Sequence, residues 1–339
     1  MLRICSAKAG RGPRASGEDT PSTHTATESL LRTPISRRVF GLAIAGSARA
    51  PAQENQDTGL TFRSDTREVL LHATVVDRKG AFVTDLTRDA FKIVEDGVEQ
   101  KIRVFRREDV PVSMGLIVDN SGSMRRKRKK VEDSAVALVK ASNRQDEIFI
   151  VNFNDVPYRD ADLTSDVKKL EEALSRIDAK GGTAMRDALT LSMDYILAKG
   201  KKAKKVLLIV TDGDDTASND SNTLEKLLAK AQRSEVLIFA IGILNEEDRR
   251  AAKRAQRAME LLTKQSGGIA HFPKDVESVE DVALQIAKEI RSQYIIAYSP
   301  TKPDDGAYRQ LKVTVKGSGL TVRTRTGYYA KADDKRSAL

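Results

Sequence analysis

Val112-Ser113-Met114-Gly115-Leu116-Ile117-Val118-Asp119-Asn120-Ser121-Gly122-Ser123 decides how the rest of the chain is read. The first seven residues are mostly apolar and form a strand. It ends in a carboxylate and two hydroxyls with a glycine between them. Later runs, 206–210 and 236–241, are apolar without alternation. Strands of that character are buried on both faces, which is the property of a parallel sheet covered by helices. Working outward, strands are expected at 112–118, 147–153, 205–210, 236–242 and 268–272. Helices are expected near 129–143, 166–177, 184–199, 222–233, 246–266 and 277–293. Alternation of this kind gives an α/β fold, a doubly wound and mostly parallel sheet. Ligands of such sheets bind beyond the carboxyl ends of the strands.

Three polar elements then fall at one end of the sheet. They are Asp119, Ser121 and Ser123 after the first strand, Thr183 in Gly181-Gly182-Thr183-Ala184, and Asp212 in Val210-Thr211-Asp212-Gly213. Two carboxylates and three hydroxyls are hard oxygen ligands. They suit Mg²⁺, Mn²⁺ or Ca²⁺ rather than zinc or copper. Neutral hydroxyls leave the charge of the ion largely uncancelled, so a further oxygen from elsewhere is attracted. Asp, Asn, Ser and Gly also make ordinary turns, and a turn that holds no ion stays open as a reading of these residues.

At these positions the chain resembles the von Willebrand factor type A domain and its metal-ion-dependent adhesion site. That pattern is Asp-x-Ser-x-Ser, then a Thr in a later loop, then an Asp after a later strand. The resemblance covers roughly residues 111–293, about half of the chain. It implies a Rossmann-like sheet and a divalent cation held by Asp119, Ser121, Ser123, Thr183 and Asp212. It also implies capture of a Glu or Asp carboxylate of a partner protein through that cation. Thr183 looks like the residue that joins the metal in the ligand-ready state. Asp214, Asp215 and Asp220 do not extend the site. Counted from Asp212, an EF-hand would need a Gly at its sixth position and a Glu at its twelfth, where this chain has Ala217 and Thr223. These acids read as a solvated loop edge.

Enzyme chemistry finds little support. A Ser-His-Asp triad needs a histidine, and only His24, His72 and His271 exist. No Gly-x-Ser-x-Gly turn surrounds Ser121 or Ser123, and no phosphate-binding or dinucleotide fingerprint occurs. The reading is a metal-dependent protein-binding module acting in adhesion or assembly. The alternatives are a cytosolic complex-assembly or chaperone-like protein with the same domain, and, further off, a hydrolase. Cys5 is the single cysteine, so no internal disulfide and no zinc cluster is expected. The net charge is +10, and much of it sits in the run Arg125–Lys130. That run reads as the solvated start of the first helix, with steering of acidic partners as a further role. No nucleic acid partner and no transmembrane span are expected. The sequence does not give the oligomeric state or the partner.

The flanks differ from the centre. Residues 1–60 are rich in Ser, Thr, Arg, Ala and Pro. Ser36-Arg37-Arg38-Val39-Phe40 precedes a mildly apolar stretch and Ser47-Ala48-Arg49-Ala50, a layout that resembles a twin-arginine export signal. It implies a periplasmic or extracellular location, and a cytoplasmic one if the leader is not a signal. Residues 61–109 read as a small β module, with strands at 69–77, 89–97 and 100–105. Val83-Thr84-Asp85-Leu86-Thr87-Arg88-Asp89-Ala90-Phe91 resembles a segment of bacterial secreted proteins of the von Willebrand type. Residues 110–293 form the α/β domain. Residues 294–330 return to strands, at 294–298, 311–316 and 320–325, that are expected to pack with the N-terminal module into one sandwich-like unit. Residues 331–339 read as a charged tail.

Overall fold

The computed structural model describes residues 68–107, 109–175, 179–244 and 248–331. The export-signal, linker and tail readings, with Cys5 and His24, lie outside them. The first four strands are β1 (Val69–Val76), β2 (Phe91–Glu95), β3 (Val98–Gln100) and β4 (Ile102–Arg106). The chain then builds the central unit: β5 (Val112–Asp119), α1 (Arg128–Ala141), β6 (Glu147–Phe153), β7 (Pro157–Thr164), α2 (Val167–Ser175) and α3 (Met185–Lys199). It continues with β8 (Lys204–Thr211), α4 (Leu224–Arg233), β9 (Val236–Gly242), α5 (Arg249–Ser266), β10 (Ala270–His271) and α6 (Val279–Arg291). Four more strands follow: β11 (Tyr294–Tyr298), β12 (Tyr308–Val315), β13 (Thr321–Arg323) and β14 (Gly327–Tyr329).

The central sheet has the order β10-β9-β8-β5-β6-β7. All its neighbours run parallel except β6 and β7, which are antiparallel. β5, whose residues are all buried, lies in the middle. One face packs Met114, Leu116 and Val118 against Leu138, Leu174 and Ile286 of α1, α2 and α6. The other packs Ile117, Leu207 and Ile209 against Leu189, Leu227 and Met259 of α3, α4 and α5. Each such aliphatic side chain contributes about 1.5–3 kcal/mol on burial, so the sheet is fixed from both sides. Gly115 is required in the middle of β5. A Cβ there would stand 2.4 Å from the Phe149 ring that crosses the strand. Helix ends are set by side chains: Thr223 caps α4 through Lys226 N–H, and Asp248 caps α5 through Arg250 and Ala251 N–H. Gly267, with φ +95°, closes α5, where a left-handed residue is favoured.

The flanking strands form two four-stranded sheets, β13-β1-β11-β4 and β14-β12-β2-β3. Each mixes strands from before and after the central unit: β1 pairs with β11, and β2 with β12, both antiparallel. Their inner faces share a core of Leu71, Ile93, Tyr294, Ile296, Tyr298 and Val313. The central unit is therefore an insertion between β4 and β11, and those two strands are themselves hydrogen-bonded neighbours.

Three sequence expectations change. β7, Pro-Tyr-Arg-Asp-Ala-Asp-Leu-Thr, was not among the expected strands; it is polar because it is a half-exposed edge. The strand expected at 268–272 is two residues long, since β10 has only β9 as a partner. The strand expected at 89–97 begins with a 3-10 turn, Arg88–Ala90, and its last two residues form the turn to β3.

Candidate metal centre

The loop after β5 folds back on its own strand. Asp119 Oδ1 accepts the Ser121 backbone N–H at 2.8 Å. Its Oδ2 accepts the Thr211 hydroxyl of the neighbouring β8 at 2.6 Å. The Ser121 and Ser123 hydroxyls lie 3.0 Å apart, and Ser123 Oγ donates to Asp212 Oδ1 at 2.7 Å. Asp119, Ser121, Thr183 and Asp212 are buried, and Ser123 is exposed.

Thr183 arrives on a loop tied to both others. Gly122 N–H donates to Gly181 O at 3.0 Å, and Lys180 N–H to Asn120 O at 3.0 Å. Thr183 O accepts from the N–H groups of Thr216 and Ala217, and Thr183 N–H donates to the Thr216 hydroxyl. A Cβ placed on Gly213 would stand 3.9 Å from Thr183 Oγ1, so this hydroxyl faces the segment that follows Asp212. Gly181, with φ +76°, allows the tight approach; a Cβ would collide with the Asp155 carboxylate that accepts Gly182 N–H. The structure thus brings the three expected elements into one loop cluster at the carboxyl ends of β5 and β8.

Burial pushes the Asp119 carboxyl up to about 6; hydrogen bonds from Thr211 and Ser121 oppose that shift, and the Asp212 charge adds to it. Two buried acids side by side hold an excess of negative potential. Among the described residues no group of three His, Cys, Asp or Glu side chains is arranged to bind a metal. The donor set is instead two carboxylates and three hydroxyls, all hard oxygens, which fits a Mg²⁺-type ion and not zinc.

Two readings of neighbouring residues are corrected. The basic run is not uniformly solvated: Lys127 turns inward, and its ammonium donates to Asp212 Oδ2 at 2.8 Å and to Ile243 O at 3.0 Å. No sequence signal separates it from the five basic residues around it. Nor are the acids after Asp212 a solvated edge throughout. Asp215 accepts from Arg186 N–H and from Ser218, and it pairs with the Arg186 guanidinium. Asp214 pairs with Arg254. Both brace the loop because the segment lies against α3 and α5 rather than in open solvent. Asp220 is exposed.

Residues 114–214 match the von Willebrand factor type A domain family. Integrin alpha-11 of Homo sapiens is 38% identical over 88 residues, 25% of this chain and 7% of the integrin. The Mus musculus protein of that name is 36% identical over the same length. The chain thus spans about 7% of the length of the curated relatives it matches. Among solved structures, the vWF domain of the type V pili tip protein Mfa5 from Porphyromonas gingivalis has a TM-score of 0.44 at 14% identity. That match covers 54% of this chain and 97% of that one. A von Willebrand factor type A protein from Catenulispora acidiphila has a TM-score of 0.46 at 14% identity, covering 82% and 77%.

Proposed function

We propose that this chain, which carries a von Willebrand factor type A domain matched over residues 114–214, is a metal-dependent protein-binding module. Its partner offers an Asp or Glu carboxylate. Asp119, Ser121, Ser123, Thr183 and Asp212 would hold the ion, Mg²⁺ or a similar hard cation. The ion supplies an uncompensated positive charge to which a carboxylate oxygen is drawn.

One observation carries the reading: the Ser121–Ser123–Asp212 hydrogen-bonded chain, set over the buried Asp119. Each residue has a distinct task. Asp119, gripped by Ser121 N–H and the Thr211 hydroxyl, fixes the loop and supplies negative charge. Ser121 and Ser123 present neutral oxygens that do not quench a cation. Asp212 orients Ser123. Thr183 hangs on a loop hydrogen-bonded to both neighbours, so any change in the ligand set is felt in their spacing. The local likeness to integrin alpha-11 supports a role in adhesion or assembly. Among the described residues no helix is long and apolar enough to cross a membrane. Export, read from residues 36–50, belongs to the same proposal.

Thermal unfolding with and without Mg²⁺ or Mn²⁺ is the direct test, because a ligand that binds only the folded state raises Tm. Addition of ion after EDTA should raise it, and Asp119→Ala should erase the rise. An equal rise in wild type and variant would put the ion elsewhere. A pull-down with and without EDTA then identifies the partner.

A further inference from the structure

Lys127 reaches from the basic run into the loop cluster described above. Its ammonium is half-buried between Asp212 Oδ2 and the Ile243 carbonyl, at 2.8 and 3.0 Å. The same Asp212 carboxylate receives Ser123 through its other oxygen. Lys127 is therefore one carboxylate away from the hydroxyl pair and cannot be treated as a surface charge. Of the other nearby acids, Asp214 is paired with Arg254 and Asp215 with Arg186, and Asp155, which accepts the Gly182 N–H, is the same in wild type and Lys127 variants.

We propose that Lys127 is a fixed counter-charge that weakens divalent-ion binding at this site and strengthens the grip of the ion-loaded site on a partner carboxylate. The inference rests on the metal-site reading above. With Asp119 and Asp212 ionised, Lys127 leaves the empty site with one net negative charge. A divalent ion converts that to one net positive charge, which a single carboxylate neutralises. Without Lys127 the empty site carries two negative charges, and loading brings it only to neutrality. The ion is then held more tightly and the carboxylate less so. Coulomb interactions at these separations are large inside a protein and small in water. The half-buried setting of Lys127 places it where such a charge counts.

The geometry also explains how the ammonium is kept in place. Lys127 lies at the junction between the short 3-10 turn Gly122–Arg126 and α1. Its N–H is bonded to Met124 O, and its own carbonyl accepts from Val131 N–H. The backbone is thus anchored, and the side chain spans from the loop after β5 to the segment after β9 that contains Ile243. The two acceptors on the ammonium, the Asp212 carboxylate and the Ile243 carbonyl, belong to different loops, so it is held from two sides.

The test is isothermal titration of Mg²⁺ and Mn²⁺ into the full chain at constant pH and ionic strength, comparing wild type, Lys127→Met and Lys127→Arg. Lys127→Met should bind either ion about tenfold more tightly, from removal of a like charge. Lys127→Arg, which keeps the charge, should stay near wild type. Acetate then serves as the carboxylate probe, titrated into Mn²⁺-loaded protein and followed by water-proton relaxation. It should bind more weakly to Lys127→Met than to wild type. Equal or weaker ion binding by Lys127→Met overturns the inference, as does Lys127→Arg behaving like Lys127→Met. If wild type binds no divalent ion, the metal-site reading falls as well; if wild type binds and Lys127→Met is unchanged, only this inference falls.

Discussion

The two ends of the central sheet carry opposite chemistry. At the carboxyl ends of β5 and β8, two buried acids and three hydroxyls are gathered in one loop cluster. At the amino ends, charges are buried beneath the sandwich, and most have partners. Lys204 donates to Ile290 O. Asp146 accepts from Val112 N–H and Asn143 N–H and pairs with Arg291. Glu289 pairs with Arg323 of β13. Gln293 reaches Thr74 of β1. The difference is one of cover. The sandwich closes the amino end because the insertion starts and finishes there, so its polar groups serve as structure. The carboxyl end is where the proposed ion site lies.

Predictions follow from that contrast, and an acid at each end gives the largest effects. Asp146→Asn should lower Tm, by about 1–3 kcal/mol of stability, because the buried acceptor shared by Val112 N–H, Asn143 N–H and Arg291 loses its charge while Arg291 keeps only Asp109. The ion-induced rise in Tm should survive. Asp119→Asn should act the other way. Its folded pKa of about 6 lies above the ordinary carboxylate value, so stability is highest below pH 4 and is lost as pH rises through 6. Removing the charge should therefore stabilise the ion-free protein at pH 7, by up to about 3 kcal/mol, while abolishing the response to Mg²⁺. If both variants lose stability in EDTA, the two ends do not differ as described.

A third test uses pH. Burial lowers Lys204 to about 7, so the unfolded chain binds the proton more tightly between pH 7 and 10. Stability from this group should rise with pH across that window, by about 1.4 kcal/mol per unit at most. The gap between Lys204→Met and wild type should be widest at or below pH 7 and narrow toward pH 10; a constant gap would refute it. The smallest effect is expected for Asp214→Ala, whose partner Arg254 is largely exposed. Loss of a pair of this kind is worth under about 1 kcal/mol, and the ion response should be unchanged.

Much of this was legible in the sequence. The strands at β5, β8 and β9 are apolar runs with little alternation, the mark of a strand buried on both sides. The five oxygen-bearing residues stand out because each follows such a run or a glycine pair. What stayed hidden depends on distance across the fold. Thr211 looks like a strand-ending residue until β8 is laid beside β5, when its hydroxyl meets Asp119. Lys127 is one of six successive basic residues, and only its contacts with Asp212 and Ile243 single it out. Asp215 has the composition of a solvent loop, yet Arg186 of α3 pairs with it across the fold. β7 escapes the eye because an edge strand with a proline at its start need satisfy only one neighbour.

The insertion between β4 and β11 has a mechanical meaning. Those strands form a clasp beneath the α/β unit, so tension applied along the outer strands of the sandwich closes through their shared ladder and leaves the inserted unit slack. The loops after β5 and β8 lie off that path. A pull on those loops follows a different route, running down both connections together and reaching β4 and β11 from the same end.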